Sequence, residues 1–426
     1  MDDTDSKEGM CTTYIGAVIV GKLRDHDIKL MGFPHLIRLN PNVLWKTRGN
    51  CSISITVRAS KEQIQTVKDI TLRTVEELAE LHVETTNPGV VFYQGEKIPA
   101  KLRSFSSKVI QDIVTIEEAE ALAKEIGAEI HKFKLGRGII GALAAIGNTL
   151  ERDWTFELIS YRSKESWGTP RRVDAGSVHE MNARTYPNTF DNLDPATDEI
   201  RITPHTPCPI LYGIRAEGPE AALEAHKLVR TLEPIERLII FKTNQGTDEH
   251  LRRAKIAEVE PYWSVIVDAV VCRKPRVIAG GHIIFRIRDE TGEIDCAAYE
   301  PTRQFRDVVR KLVVGDKVRA YGGVKEKPEL PLTINLEKIS ILELVPILRK
   351  VNPTCPKCGK RMKSEGRGKG YSCKRCKIRA PASAAKLIEV PRMVELGTFE
   401  VPVRCRRHLA KPLVREIQVR FPAREF

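Results

Sequence analysis

The stretch Met1-Asp2-Asp3-Thr4-Asp5-Ser6-Lys7-Glu8-Gly9-Met10-Cys11-Thr12-Thr13 organises the reading of the whole chain. Asp2, Asp3 and Asp5 crowd carboxylates into four successive positions, and Gly9 permits an unusual backbone turn. Thr12 and Thr13 sit where a helix should begin. Tyr14 to Leu23 is apolar enough for burial, so the acidic loop is held at the end of a packed element. Hard oxygen ligands of this kind suit Mg²⁺, which in turn holds nucleotide phosphates. A hydroxyl at a helix start can meet a phosphoryl group, because free backbone N–H groups point the same way. The same residues also read as an N-cap beneath a solvated acidic loop.

Outward from that loop, residues 12–24 read as a helix, and Leu36 to Leu39 and Ser52 to Val57 as strands. Between the strands lies Lys46-Thr47-Arg48-Gly49-Asn50, a basic turn that either grips phosphate or closes a hairpin. Ser60 with Gln63, and Thr115 with Glu118, form capping-box patterns, and Gly127 ends the second helix. Glu129 to Leu135 is a strand running into Gly136-Arg137-Gly138-Ile139-Ile140-Gly141 and a small-residue helix. Strand, glycine loop and helix is the context of a phosphate cradle. A close-packing turn with no ligand fits the same residues. The dinucleotide reading wants an acidic residue about 20 positions on; Glu157 is near, but a βαβ repeat is absent.

Residues 155–262 read as a second α/β unit, compatible with a small ferredoxin-like sandwich. Its middle, Arg171 to Asp198, is polar and irregular, and long polar loops in compact domains tend to be functional. Residues 263–345 follow OB-fold order: strands Trp263–Cys272, Val277–Arg288 and Glu293–Tyr299, a helix around Arg303–Leu312, then strands Lys317–Val324 and Leu332–Ile341. His282, Ile284, Arg286 and Arg288 share one face, which Tyr299, Arg319 and Tyr321 could join. Aromatic faces stack bases while arginines track phosphates. Cys355-Pro356-Lys357-Cys358 and Cys373-Lys374-Arg375-Cys376 then place four thiolates for tetrahedral Zn²⁺ in a closed, structural site. Lys357, Lys374, Arg375 and Lys377 inside the knuckles suggest RNA contact.

The net charge of +13 is unevenly placed. Residues 346–426 hold 21 Lys+Arg against 6 Glu, a balance of +15 that assigns the excess to a basic appendage favouring nucleic acid. A solubilising tail is the other reading, and Arg406, Arg407, His408, Lys411 and Arg415 carry the character to the end. The six cysteines outside the cluster are scattered, which fits a reducing cytosol with one metal site. No run of ~18 uncharged apolar residues suggests a membrane span.

Asp-Asp-Thr-Asp-Ser followed by Gly-Met-Cys-Thr-Thr resembles the signature of the archaeal agmatinylcytidine synthetases of the isoleucine tRNA that reads AUA. The similarity continues through Phe33-Pro34, Arg38-Leu39-Asn40-Pro41, Lys46 to Asn50, Gly136 to Gly147, and Thr206 to Arg215. Family members usually carry a short apolar strand before the Asp-Asp pair, whereas this sequence opens at Met1-Asp2. The resemblance implies an α+β multidomain fold. An ATP-binding kinase-like catalytic domain would span 1–154, a ferredoxin-like domain 155–262, an OB-fold β-barrel 263–345, a zinc ribbon 351–382 and a basic segment 383–426. It implies a cytoplasmic, ATP-dependent ligase that joins agmatine to C2 of the wobble cytidine of that isoleucine tRNA, with Thr12 phosphorylated and ATP ending as AMP and two phosphates. Asp2, Asp3 and Asp5 would hold Mg²⁺. Lys46, Arg48, Gly49, Asn50, Gly136, Arg137 and Gly138 would contact phosphates, and Cys355, Cys358, Cys373 and Cys376 would bind Zn²⁺. A cationic substrate needs carboxylates, which makes Asp191 and Asp194 candidates. The rival reading is a non-catalytic single-strand-binding protein built of OB fold and zinc ribbon.

Overall fold

The computed structural model describes residues 1–328 and 330–417. The helix Thr12–Asp25 packs its apolar side, including Ile15, Ile19 and Leu23, into the first core. The helices Lys61–Leu78 and Ile116–Ile126 both begin at the expected capping boxes, on Ser60 and Thr115. Gly127 closes the second with a φ of 67°, a left-handed turn that glycine adopts without steric cost.

A six-stranded sheet organises the N-terminal half, in the order Cys51–Ser54, His35–Arg38, Ile235–Thr243, Thr155–Arg162, Ile210–Ala216, Thr189–Phe190. The last four of these, with the helices Ala175–Thr185 and Pro219–Leu228, run strand–helix–strand–strand–helix–strand in spatial order 4-1-3-2. Every residue of Thr155–Arg162 is buried, because alternate side chains enter opposite cores. Leu158 faces Val178, Met181 and Ala222 of the two helices, while Ile159 and Tyr161 face Ile15 and Ile19. The sheet crosses the expected division at 154/155, since Lys242 and Thr243 pair in parallel with His35 and Leu36. A third core lies where the helix Ile139–Gly147 meets the helix Ala100–Gln111.

Five strands, Ser264–Val277, Ile283–Arg288, Glu293–Ala298, Leu330–Glu343 and Lys317–Lys327, close into a barrel when the first pairs with the last. The helix Gln304–Arg310 lies between the third and fourth strands of the chain, as the OB-fold order requires. The first strand runs five residues further than expected, and a short 3₁₀ turn, Ala279–Gly281, opens the second.

The ribbon Ile347–Val351 with Lys386–Val390 leads out to a small three-stranded sheet that carries the cysteine knuckles. The chain then returns. Gly397–Glu400 adds to the barrel beside Leu330–Glu343, and Leu409 enters the third core. The segment expected to be a free basic appendage is thus partly structural. Arg406 pairs with Asp191 and Glu400, Arg407 with Glu337, Lys411 with Asp153, and Arg415 with Asp153 and Glu217. Burial makes an unpaired guanidinium costly, so these arginines take carboxylates from three other parts of the chain. Residues 418–426 of that segment lie outside the described residues. Among the described residues, no helix is long and apolar enough to cross a membrane.

Candidate functional site

The acidic loop is partly buried, with Thr4 and Ser6 inside, Asp2, Asp3 and Asp5 half-buried, and Lys7 and Glu8 exposed. Asp2 forms an antiparallel bridge to Gly89, its N–H donating to Gly89 O at 3.1 Å and its carbonyl accepting from Gly89 N at 3.2 Å. The start of the helix Ile139–Gly147 closes over this bridge so tightly that glycine is required. A Cβ on Gly138 would lie 2.4 Å from Asp2 O, and one on Gly141 would lie 1.8 Å from Asp2 Oδ2. The glycine loop therefore serves close packing, and several of its amides are already used. Gly138 N donates to Asn87 O, Ile139 N to Gly136 O and Ile140 N to Arg137 O. These three N–H groups are therefore not open to a phosphate. Gly136 has a φ of 67° and does not line the cavity, whereas Arg137 and Gly138 do.

Asp3 accepts from Asn87 N at 3.2 Å. Asp5 is gripped by Arg48, with Nε at 3.0 Å and Nη2 at 2.5 Å, and the same guanidinium donates to the carbonyls of Gly9 and Met10. Arg48 Nη1 is buried without a partner. Burial raises all three carboxyls. Asp2 rises well above the usual range, aided by the charge of Asp3, and Asp3 reaches about 7 despite Asn87 and Arg137. Asp5 rises less steeply against the opposing pull of Arg48. Half-buried carboxylates that repel one another are by their chemistry donors for a hard divalent cation. Asp2, Asp3 and Asp5 are not, however, among the described groups whose ligand atoms all lie within 4.8 Å of one another.

Cys11 precedes the helix Thr12–Asp25 without a side-chain cap, and the first turn holds no acidic residue. The helix start is thus left electropositive beside the carboxylates. Thr12 is its first residue, only 3% exposed, and its hydroxyl accepts from Thr4 Oγ1 at 3.0 Å.

These groups share one cavity of about 490 Å³. Lys46, Arg48, Gly49 and Asn50 line it, but their tasks differ. Lys46 Nζ donates to Val43 O, Asn50 Nδ2 donates to Asn40 O, and Gly49 O accepts from Arg38 Nη1 at 2.9 Å. The opposite wall comes from the six-stranded sheet and the returning C-terminus. There Glu157 faces Arg38 at 3.5 Å and Arg215 at 4.0 Å, and Gln245 donates to it. Asp191 is held by Arg215 at 3.0 Å and by Arg406. Asp194 is corrected as a substrate candidate. It is fully buried, accepts from Ala196 N in its own turn, and does not line the cavity. Arg215, in the Thr206 to Arg215 block, and Arg406 and His408, in the basic C-terminal run, also line the cavity, a placement that no local pattern gives.

On the barrel, the arginines expected to track phosphates are engaged across strands. Arg286 pairs with Asp295 and Glu293, Arg319 with Asp268, and Arg288 with Glu293. His282 and Tyr299 meet edge to face at 5.1 Å. In the ribbon, one ligand atom from each of Cys355, Cys358, Cys373 and Cys376 lies within 4.8 Å of the others, over a small core of Met362 and Tyr371. Four converging thiols fit a closed tetrahedral site.

Known proteins match this chain in successive segments. Family models match residues 1–135 (TiaS TCKD domain), 136–250 (TiaS FLD domain), 265–342 (OB-fold nucleic acid binding domain) and 352–394 (TiaS C-terminal zinc ribbon domain). TiaS of Methanocaldococcus jannaschii, an isoleucine-tRNA 2-agmatinylcytidine synthetase, is 46% identical over 419 residues, covering 97% of each chain. Among solved structures, the complex of TiaS with its isoleucine tRNA and ATP matches with 42% identity and a TM-score of 0.88, covering 100% of this chain and 97% of that one. The complex of TiaS with the same tRNA, AMPCPP and agmatine matches with 41% identity and a TM-score of 0.85 over the same shares. Near-full-length identity of this order, with each segment falling on the matching architecture, shows that the chain belongs to the TiaS family.

Proposed function

We propose that this protein is an ATP-dependent ligase that joins agmatine to C2 of the wobble cytidine of the isoleucine tRNA named for its relatives, forming 2-agmatinylcytidine and switching decoding from AUG to AUA. The observation that carries the site assignment is that buried Thr12 and three half-buried carboxylates open onto one cavity in a chain alike in sequence to TiaS over 97% of its length. The kinase-like unit is residues 1–154, the ferredoxin-like unit 155–262, the OB unit 263–345, the zinc ribbon 351–382 and the basic segment 383–426.

The C2 oxygen of cytosine is a poor leaving group, and an amine does not displace it unaided. Phosphorylation of that oxygen lets it depart as phosphate when the agmatine amine attacks C2. Asp2, Asp3 and Asp5 would hold Mg²⁺, which when bound would offset the charge of the nucleotide phosphates. Arg48, with one N–H unpartnered, and Arg137 supply positive charge toward the transferred group, with Lys46 beside them. Thr12 presents its hydroxyl at the uncapped helix start, where backbone N–H groups favour an arriving phosphoryl. The wobble base leaves its stack to reach this buried corner. The OB unit and the ribbon, carrying Zn²⁺ on its four cysteines, grip the tRNA.

Incubation with ATP, a transcript of the AUA-reading isoleucine tRNA and labelled agmatine tests the reading, with label expected in the tRNA only when ATP is present. No incorporation, together with tight binding to arbitrary single strands, would favour the non-catalytic binder instead.

A further inference from the structure

Trp45 is 47% exposed on the turn after the strand His35–Arg38, and it lines the same cavity as the carboxylates. A lone exposed indole is ordinary on a protein surface. This one stands on a pinned turn. On one side Asn42 is wholly buried, its Nδ2 donating to Tyr262 O, Trp263 O and Ser264 Oγ at 3.0–3.1 Å. On the other, Lys46 is tied to Val43 O and Arg48 is locked on Asp5. The chain therefore holds the ring outward at a fixed place.

Arg137, from the start of the glycine loop, lies with its guanidinium 5.5 Å from the indole centroid. In the barrel, by comparison, Arg252 sits 3.8 Å over the ring of Trp263. The Trp45–Arg137 pair is slack. A flat ring inserted between them needs two contact separations of about 3.5 Å each, roughly 7 Å in all. The flexible arginine reaches that spacing by moving about 1.5 Å, a small change for a side chain with several rotatable bonds.

We propose that Trp45 and Arg137 form a nucleobase-stacking site at the mouth of the cavity, with the indole as platform and the guanidinium as the opposing face. Stacking on an indole is tolerant of base identity, and the guanidinium adds a cation–π contribution while staying near the attached phosphates. Two sources carry this chemistry, the adenine of ATP and an unstacked base of the RNA. The site rests on the functional reading above and extends it to where the base lies.

The test is equilibrium binding to the full-length chain, with ATP in the absence of RNA and with the isoleucine tRNA transcript in the absence of ATP. Trp45→Ala and Trp45→Leu should weaken one of the two by about tenfold, while Trp45→Phe restores most of it. A loss confined to ATP identifies adenine as the stacked base, and a loss confined to tRNA identifies an RNA base. Unchanged affinity of Trp45→Ala for both ligands overturns the stacking site, as does an equal loss in all three variants, which would report shape and not stacking. Failure of the wild-type protein to bind either ligand would instead overturn the functional reading.

Discussion

Thr4 Oγ1 donates a 3.0 Å hydrogen bond to Thr12 Oγ1, and both side chains are buried. This orientation leaves the Thr12 proton free for transfer and fixes the oxygen at the head of its helix. Thr12→Ala should abolish ATP-dependent agmatine incorporation while tRNA binding persists. Thr4→Val keeps the shape but removes the donor, and should slow turnover by about fivefold, in line with a net hydrogen bond of ~1 kcal/mol. Full activity in Thr12→Ala, measured by incorporation of labelled agmatine, would remove that residue from the chemistry.

Gly141 is the second point of leverage. An added methyl at 1.8 Å from Asp2 Oδ2 and 2.8 Å from Leu39 Cδ1 cannot be accommodated without displacing the carboxylate. Gly141→Ala should cost about 1–3 kcal/mol of stability by overpacking and also lose activity. Denaturant melts read the first effect and agmatine transfer the second. A variant with wild-type turnover would show that Asp2 need not sit against this helix.

The ribbon offers a separable test. Its core is little more than Met362 and Tyr371 beneath the cysteines, too small to hold without metal. Cys373→Ser, or treatment with a zinc chelator, should unfold the ribbon locally and weaken tRNA binding. ATP binding should be kept, because none of the four cysteines lines the cavity. Measured zinc content and the two binding constants check this. Loss of ATP affinity to the same degree as tRNA affinity would contradict a purely structural ribbon.

Acid stability should depend on Glu337. Burial pushes its carboxyl up, but His250, Arg407 and Lys338 outweigh that and hold it at about 2. A folded-state value below the unfolded ~4.3 means the carboxylate stabilises the fold above that pH. The contribution, roughly 3 kcal/mol, is lost as pH falls from ~4.3 through 2. Glu337→Gln should flatten this part of the stability curve, followed by denaturant midpoints between pH 5 and 2.5. An unchanged slope would mean another group carries the acid sensitivity.

Much of the fold was legible. The capping boxes at Ser60 and Thr115 and the paired CxxC knuckles appear where local pattern placed them, and the barrel strands come in the expected order with the bounds of the first two shifted. So was one corner of the site, because Asp2, Asp3, Asp5 and Thr12 are sequence neighbours. The glycine loop stayed ambiguous, since the same glycines suit a phosphate cradle and a tight backbone crossing, and only the partner Asp2–Gly89 shows the crossing. The pairing of the barrel arginines was not legible: Arg286 and Arg319 look free in one strand until the neighbouring strand brings Asp295 and Asp268 alongside.

By itself, the sequence determined which local units form, because capping, alternation and metal-ligand spacing act within a few residues. Tertiary structure alone decided what the charges do. Arg406 meets Asp191 across 215 residues and Arg415 meets Glu217 across 198, so the C-terminal cations stitch the body together before any remain for RNA. The physical reason is that a buried guanidinium must find a carboxylate somewhere in space, and sequence separation carries no information about which one it finds.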